Sequence, residues 1–156
     1  PLGGGINPKF VKYNLIEHGF LLNLLGIGDT TNSIVKELLV ANTVDLVDKG
    51  SLTEMVAGLE LLKYMSSNER HDLYYWQNLT RGTVSEVDYV LSSGIDIVPM
   101  EVKSGLKGSM ASLYVFMDKE HIKYGIRCSL ENFGEFVNPK GKRIIVNPLY
   151  AISNLF

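Results

Sequence analysis

Polar and apolar residues alternate along two neighbouring stretches, Val84 to Leu91 and Ile95 to Lys103, and this period of two predicts a pair of β-strands. Ser92-Ser93-Gly94 between them is a turn-forming cluster, so the two strands read as a hairpin. Upstream the period changes. Leu52, Met55, Val56, Leu59 and Leu62 recur at helical spacing. That helix is expected to start at an N-cap on Ser51, with Glu54 closing a capping box, and to run to Tyr64 or Met65. Leu73-Tyr74-Tyr75-Trp76-Gln77 is aromatic-rich and reads as the first strand, with core packing as the expected fate of its rings and base stacking as the alternative.

After the hairpin, Lys107 to Met117 reads as a helix behind the sheet, packed through Leu113, Val115 and Phe116. Ile122 to Ser129 and Ile144 to Val146 read as further strands, and Asn147-Pro148 ends the last one before a short C-terminal helix. Near the start, Phe10 to Leu25 reads as a short strand or extended lead followed by a helix, stopped at Gly26-Ile27-Gly28-Asp29, and Ser33 to Val47 as helical at first. The order helix, three strands, helix, one or two strands predicts an α/β sandwich with a mixed central sheet.

The hairpin also carries the candidate chemistry. Glu86 and Asp88 share one face of their strand, and Glu101 and Lys103 share one face of theirs. A tight loop centred on Ser93-Gly94 sets Glu86 opposite Glu101 and Asp88 opposite Pro99, with all four polar groups on one face. A slip of one residue separates the two pairs, and a bulge could also disturb them. Three carboxylates crowded together repel one another unless a cation neutralises them or some are protonated. Mg²⁺ suits such a cluster, because it takes oxygen ligands and keeps several waters. A lysine beside it can orient a water or stabilise charge on a phosphate. The alternation is equally well met by charges that coat the wet face of a hairpin. On the preceding helix, Glu54 and Glu60 point in well-separated directions at about 100° per residue, so one metal does not take both.

Asp88 followed by Glu101-Val102-Lys103 resembles the PD-(D/E)-x-K nuclease superfamily. The wider context is more specific. Pro8-Lys9-Phe10, His18-Gly19-Phe20-Leu21, Gly50-Ser51-Leu52-Thr53-Glu54, Glu60-Leu61-Leu62, Leu73-Tyr74-Tyr75-Trp76, Ser85 to Leu91, Ile97 to Gly105 and Asn147 to Ala151 follow in order. That run is similar to the uncharacterised C-terminal domain attached to many prokaryotic AAA-type ATPases. The resemblance implies a restriction-endonuclease-like sandwich, with Asp88 and Glu101 as metal carboxylates and Lys103 as the catalytic lysine. Glu54 looks like the glutamate that related nucleases place on the first core helix, so the implied metal set is Glu54, Asp88 and Glu101. Mg²⁺ (or Mn²⁺) is the implied cofactor, and DNA and an ATPase module upstream in the same chain are the implied partners. Two departures stand out: Val87 precedes Asp88 where the superfamily is named for proline, and Glu17-His18-Gly19-Phe20 replaces the usual Asp-Thr-Gly-Leu.

Bulk properties bound the rest. The chain has 156 residues, 46% hydrophobic and 21% charged, enough for one domain with one core. A net charge of −2 and a pI near 5.9 argue against a dedicated, tight nucleic-acid binder. The local cluster Lys140-Gly141-Lys142-Arg143 reads first as a solvated hairpin tip. Cys128 is the only cysteine, which excludes an intrachain disulfide and a thiolate zinc site and fits a cytoplasmic location. His18, His71 and His121 have no metal-ligand spacing, and no phosphate-binding glycine loop is present. No apolar run reaches membrane-spanning length, so no membrane role is expected. Residues 1–9 read as a tag remnant or linker and 10–156 as a single domain preceded by a helical segment, the C-terminal part of a longer ATPase chain by resemblance. The expected function is a Mg²⁺-dependent phosphodiesterase acting on DNA. The alternative is an inactive nuclease-fold module that binds DNA or a partner and regulates the attached ATPase.

Overall fold

The computed structural model of the chain describes residues 2–16, 19, 23, 49–65, 68, 71–80 and 83–155. Helix α1 spans Lys49–Tyr64 and is followed by strands β1 (Tyr74–Thr80), β2 (Thr83–Ser93) and β3 (Asp96–Val102). Helix α2 (Ala111–Lys119), strands β4 (Tyr124–Ser129), β5 (Gly134–Val137) and β6 (Arg143–Pro148), and a 3-10 helix η1 (Leu149–Leu155) complete the order. The strands form one 6-stranded sheet in the order β1-β2-β3-β4-β6-β5. β1, β2 and β3 run antiparallel, β3, β4 and β6 run parallel, and β5 returns antiparallel to β6. The result is the expected α/β sandwich with a mixed sheet flanked by helices, an arrangement consistent with a restriction-endonuclease-like fold. Among the described residues no helix is long and apolar enough to cross a membrane.

Two cores cover the sheet. On one side Ala57 and Leu61 of α1 and Ile152 of η1 pack with Tyr89, Leu91, Val98, Met100, Val102, Ile126 and Cys128. On the other, Met110, Leu113, Phe116 and Met117 of the α2 region pack with Val87, Val90 and Ile144. The central strands β3 and β4 are buried on both faces, as near-continuous apolar runs require. Helix α1 approaches β2 so closely at Gly58 that a Cβ there would lie 2.4 Å from the Tyr89 hydroxyl. Glycine at this position therefore sets the distance between helix and sheet.

Several expectations need correcting. Gly50 and Ser51 already lie inside α1, so Ser51 is not its N-cap and the capping box does not form. The buried stripe is turned toward Ala57 and Leu61, leaving Leu62 38% exposed. Helix α2 starts at Ala111, where Ser109 Oγ accepts the Ala111 N–H at 3.2 Å, and Val115 is 41% exposed while Met117 takes its place in the core. The hairpin turns at Gly94-Ile95, because Ser93 pairs with Asp96. Gly94 takes φ +60°, the positive value that primed hairpin turns need at their first central position. The pairing therefore moves by two residues from the expected register, a shift that keeps the faces of the paired residues Tyr89 to Ser93.

The strand β5 had no counterpart in the sequence reading. Its four residues are all exposed at the sheet edge, so it carries no burial pattern. Lys140 to Lys142 lie in the turn region between β5 and β6 and Arg143 begins β6, with the Gly141 N–H bonded to Asn138 O at 2.9 Å. Residues 10–16 carry the extended lead. The helices expected further along Phe10 to Leu25 and over Ser33 to Val47, and His18, lie outside the described residues apart from Gly19 and Asn23.

Candidate metal centre

A bulge in β2 builds the site. Trp76 pairs with Val87 and Tyr74 with Val90, so Asp88 and Tyr89 together face the single residue Tyr75. Val87 and Val90 both pack on the α2 side, which sends Glu86 and Tyr89 to the α1 side. The Tyr89 hydroxyl donates to the Glu54 carbonyl at 2.7 Å and so fixes α1 over this stretch. Pairing between β2 and β3 ends at Tyr89 and Met100. Just beyond, where the strands part, Asp88 Oδ2 accepts the Val102 N–H at 2.7 Å. A side-chain carboxylate thus stands in for a backbone carbonyl at the end of the ladder.

Continuing the register brings Asp88 level with Glu101. Met100 and Val102 face α1, so Glu101 and Lys103 leave their strand on the other side, and Asp88 sits between the two groups. The expected opposition of Glu86 to Glu101 does not occur. Instead Glu54, Glu86 and Asp88 each bring a carboxylate oxygen within 4.8 Å of the others. Glu101 is 6% exposed; its Oε1 accepts from Lys103 Nζ at 2.6 Å, while its Oε2 is buried with no hydrogen-bond partner. Lys12 Nζ reaches Glu54 Oε1 at 2.6 Å, also contacts Glu86 Oε1, and lies 4.9 Å from the centre of the Tyr75 ring. A cleft of about 1020 Å³ borders the site, with Phe10, Val11, Lys12, Tyr75, Gln77 and Asp88 among its lining.

The electrostatics follow from this crowding. Burial first, and then the charge of Glu101, push the Asp88 carboxyl up to about 7, against the opposing Val102 N–H bond. Burial also raises Glu101, although the Lys103 hydrogen bond works the other way. Burial opposes the charge on Lys12, but its hydrogen bonds to Glu54 and Glu86 outweigh that and hold its pKa above the ordinary value.

These residues fit a hard divalent cation. The donor set is all carboxylate oxygen, Glu101 Oε2 has no hydrogen-bond partner, and Asp88 is raised despite the nearby Lys103 charge. An ammonium already stands between Glu54 and Glu86.

Of the residues singled out in the sequence, Glu54, Asp88, Glu101 and Lys103 are brought to one end of the sheet, and Glu86 joins them. Glu60 is instead paired with Lys63 on the same helix. Trp76 packs against Phe116 at 5.1 Å, a core contact. Two residues went unnoticed. Lys12 lies 42 positions from Glu54, and no local pattern announces such a contact. Arg127, buried in β4, bonds Glu131, donates to the Leu106 carbonyl at 2.9 Å and to the Gly108 carbonyl at 3.3 Å. It thereby fastens the loop that covers Lys103, whose Cδ would lie 2.7 Å from any Cβ at Gly108. The available signal was an arginine inside an otherwise apolar strand.

A family model described as "Domain of unknown function (DUF4143)" matches residues 49–152. No curated protein matches the chain, and no solved structure matches it.

Proposed function

The chain belongs to the DUF4143 family, and from the chemistry of its acidic centre we propose that it is a metal-dependent phosphodiesterase of PD-(D/E)-x-K type acting on DNA, accessory to an AAA-type ATPase module in the same chain. The observation that carries this reading is the buried, unpartnered Glu101 Oε2 beside Asp88 and Lys103. A fold that buries a carboxylate without satisfying it incurs a cost that a ligand would remove.

Glu54, Asp88 and Glu101, joined by Glu86, would hold Mg²⁺ or Mn²⁺. When bound, such an ion stabilises charge on a phosphate and lowers the pKa of a water. Lys103, held by Glu101 at 2.6 Å, supplies N–H donors and positive charge for a phosphate oxygen or the attacking water. Arg127 keeps Lys103 in place through the loop above it. Tyr89 keeps Glu54 in place through its carbonyl.

Incubation with plasmid and single-stranded DNA in Mg²⁺ and in Mn²⁺ tests the proposal. Cleavage abolished in Asp88→Ala and in Lys103→Ala is expected. Cleavage that persists unchanged in both variants removes these residues from the mechanism.

One observation favours a second reading, a non-catalytic module that binds DNA or a partner and regulates an ATPase. Lys12 already offsets part of the charge of Glu54 and Glu86, and the net charge of −2 disfavours tight DNA binding. Calorimetric titration separates the two. Mg²⁺ or Mn²⁺ binding that disappears in Glu101→Gln supports the enzyme; absence of both binding and turnover supports the module.

A further inference from the structure

Lys12 does not reach the site as part of the sheet or of a helix. It is carried by residues 10–16, which lie outside any helix or strand, and it meets Glu54 of α1 and Glu86 of β2. Little else holds that stretch. Phe10 and Val11 remain exposed, and Tyr13 and Ile16 are 91% and 89% exposed. The segment is anchored further back, where Leu2 packs on the α2-side core and Gly3 lies against Tyr74. Between that anchor and Ile16, Asn14 and Leu15 are half-buried, and the Lys12 ammonium ties the segment to the acidic centre. It takes two of the three clustered carboxylates, Glu54 and Glu86, and rests on the Tyr75 ring.

We infer that residues 8–16 are an internal cover whose Lys12 ammonium holds the place of the divalent cation, so that loading the site displaces this segment. The inference rests on the metal-centre reading and adds its regulation. Lys12 lies on Oε1 of both Glu54 and Glu86, so an ion drawn to the same two carboxylates meets a like charge close by and competes with the ammonium for them. The segment gives way because the ion pairs of Lys12 are partly exposed and four of its large apolar side chains, Phe10, Val11, Tyr13 and Ile16, stay exposed. Release also opens the cleft, since Phe10, Val11 and Lys12 line one side of it. Whatever draws residues 8–16 away therefore raises metal affinity and access together, by linkage.

Mn²⁺ calorimetry on the wild-type chain, Lys12→Met and Lys12→Arg, paired with amide hydrogen exchange over residues 8–16, provides the test. Lys12→Met is expected to tighten Mn²⁺ binding about tenfold, the equivalent of ~1.4 kcal/mol. Lys12→Arg is expected to stay near wild type, and Mn²⁺ is expected to speed exchange at residues 8–16 in the wild-type chain. Equal Mn²⁺ affinity in wild type and Lys12→Met, or exchange unaltered by Mn²⁺, overturns the cover and leaves the metal centre standing. Absence of Mn²⁺ binding in both wild type and Lys12→Met overturns the metal centre and the cover with it.

Discussion

Two aspartates in this molecule have opposite fates. Asp118, at the end of α2, faces Lys140 and Lys142 from the β5–β6 turn, with Lys142 Nζ 3.4 Å from its Oδ1. The hydrogen bond from Lys140 leads a set of attractions that hold its carboxyl below the usual range. Asp88 is half-buried at the parting of two strands, beside other acids, and its carboxyl is pushed up to about 7. In the first corner cations outnumber acids and the charges close on themselves; Arg143 and Glu135 nearby do the same. In the second, Glu54, Glu86, Asp88 and Glu101 share Lys12 and Lys103. A folding domain gains nothing from such a surplus. The difference teaches that acids outnumber cations at the Asp88 end, which is what the proposed metal site would need, whereas at the Asp118 corner the lysines outnumber the acid.

The largest test of the contrast is catalytic. Asp88→Asn and Lys103→Ala are each expected to lower DNA cleavage by about 10²–10³-fold, the usual scale for losing a charge-stabilising group, whereas Asp118→Asn leaves the rate alone. Next comes the scaffold. Gly58→Ala drives a methyl group into the Tyr89 hydroxyl and separates α1 from β2. Overpacking of this kind costs ~1–3 kcal/mol, to be read from urea unfolding, and metal affinity should fall with it as Glu54 moves off.

A subtler test uses pH. Folding raises the Asp88 pKa from 3.8 to about 7. Between those values the native state holds a proton that the unfolded chain has released, so this group makes stability fall as pH rises through the window. Glu101 is shifted in the same direction. In chelator, the melting temperature is expected to decline from about pH 5 toward pH 7 more steeply in wild type than in Asp88→Asn, where this slope is lost. Mn²⁺ favours the ionised form, so its stabilising effect should grow over the same interval. Smallest of all, Asp118→Asn should leave Mn²⁺ titrations unchanged; a change there would erase the distinction between the two corners.

How much of this was legible beforehand depends on the range of the interaction. The hairpin, its acids and the following helix were visible because alternation and turn residues act locally. The turn itself was displaced by one residue, since both Ser93-Gly94 and Gly94-Ile95 satisfy a turn composition and the positive φ of Gly94 decides between them. Face assignments along β3 followed from parity, but the bulge at Asp88-Tyr89 re-aims β2 and has no signature in a run of alternating residues. Glu54 was expected to cap its own helix or to serve a metal. The first fails because α1 is already helical at Lys49. Lys12 could not be read at all, because its partners come from distant parts of the chain, and Arg127 showed only as a charge within an expected strand. The exposed edge strand β5 escaped for the opposite reason: with no buried face, its residues are not patterned.

The bond from the Val102 amide to Asp88 has a consequence of its own. One carboxylate both closes the seam between β2 and β3 and belongs to the acidic centre. Any event that draws electron density from Asp88, whether protonation or coordination, must weaken its hold on that amide and loosen the sheet at its open end. The Val102 proton is therefore a built-in spectroscopic gauge, and its chemical shift reports the state of the centre without any label being introduced there.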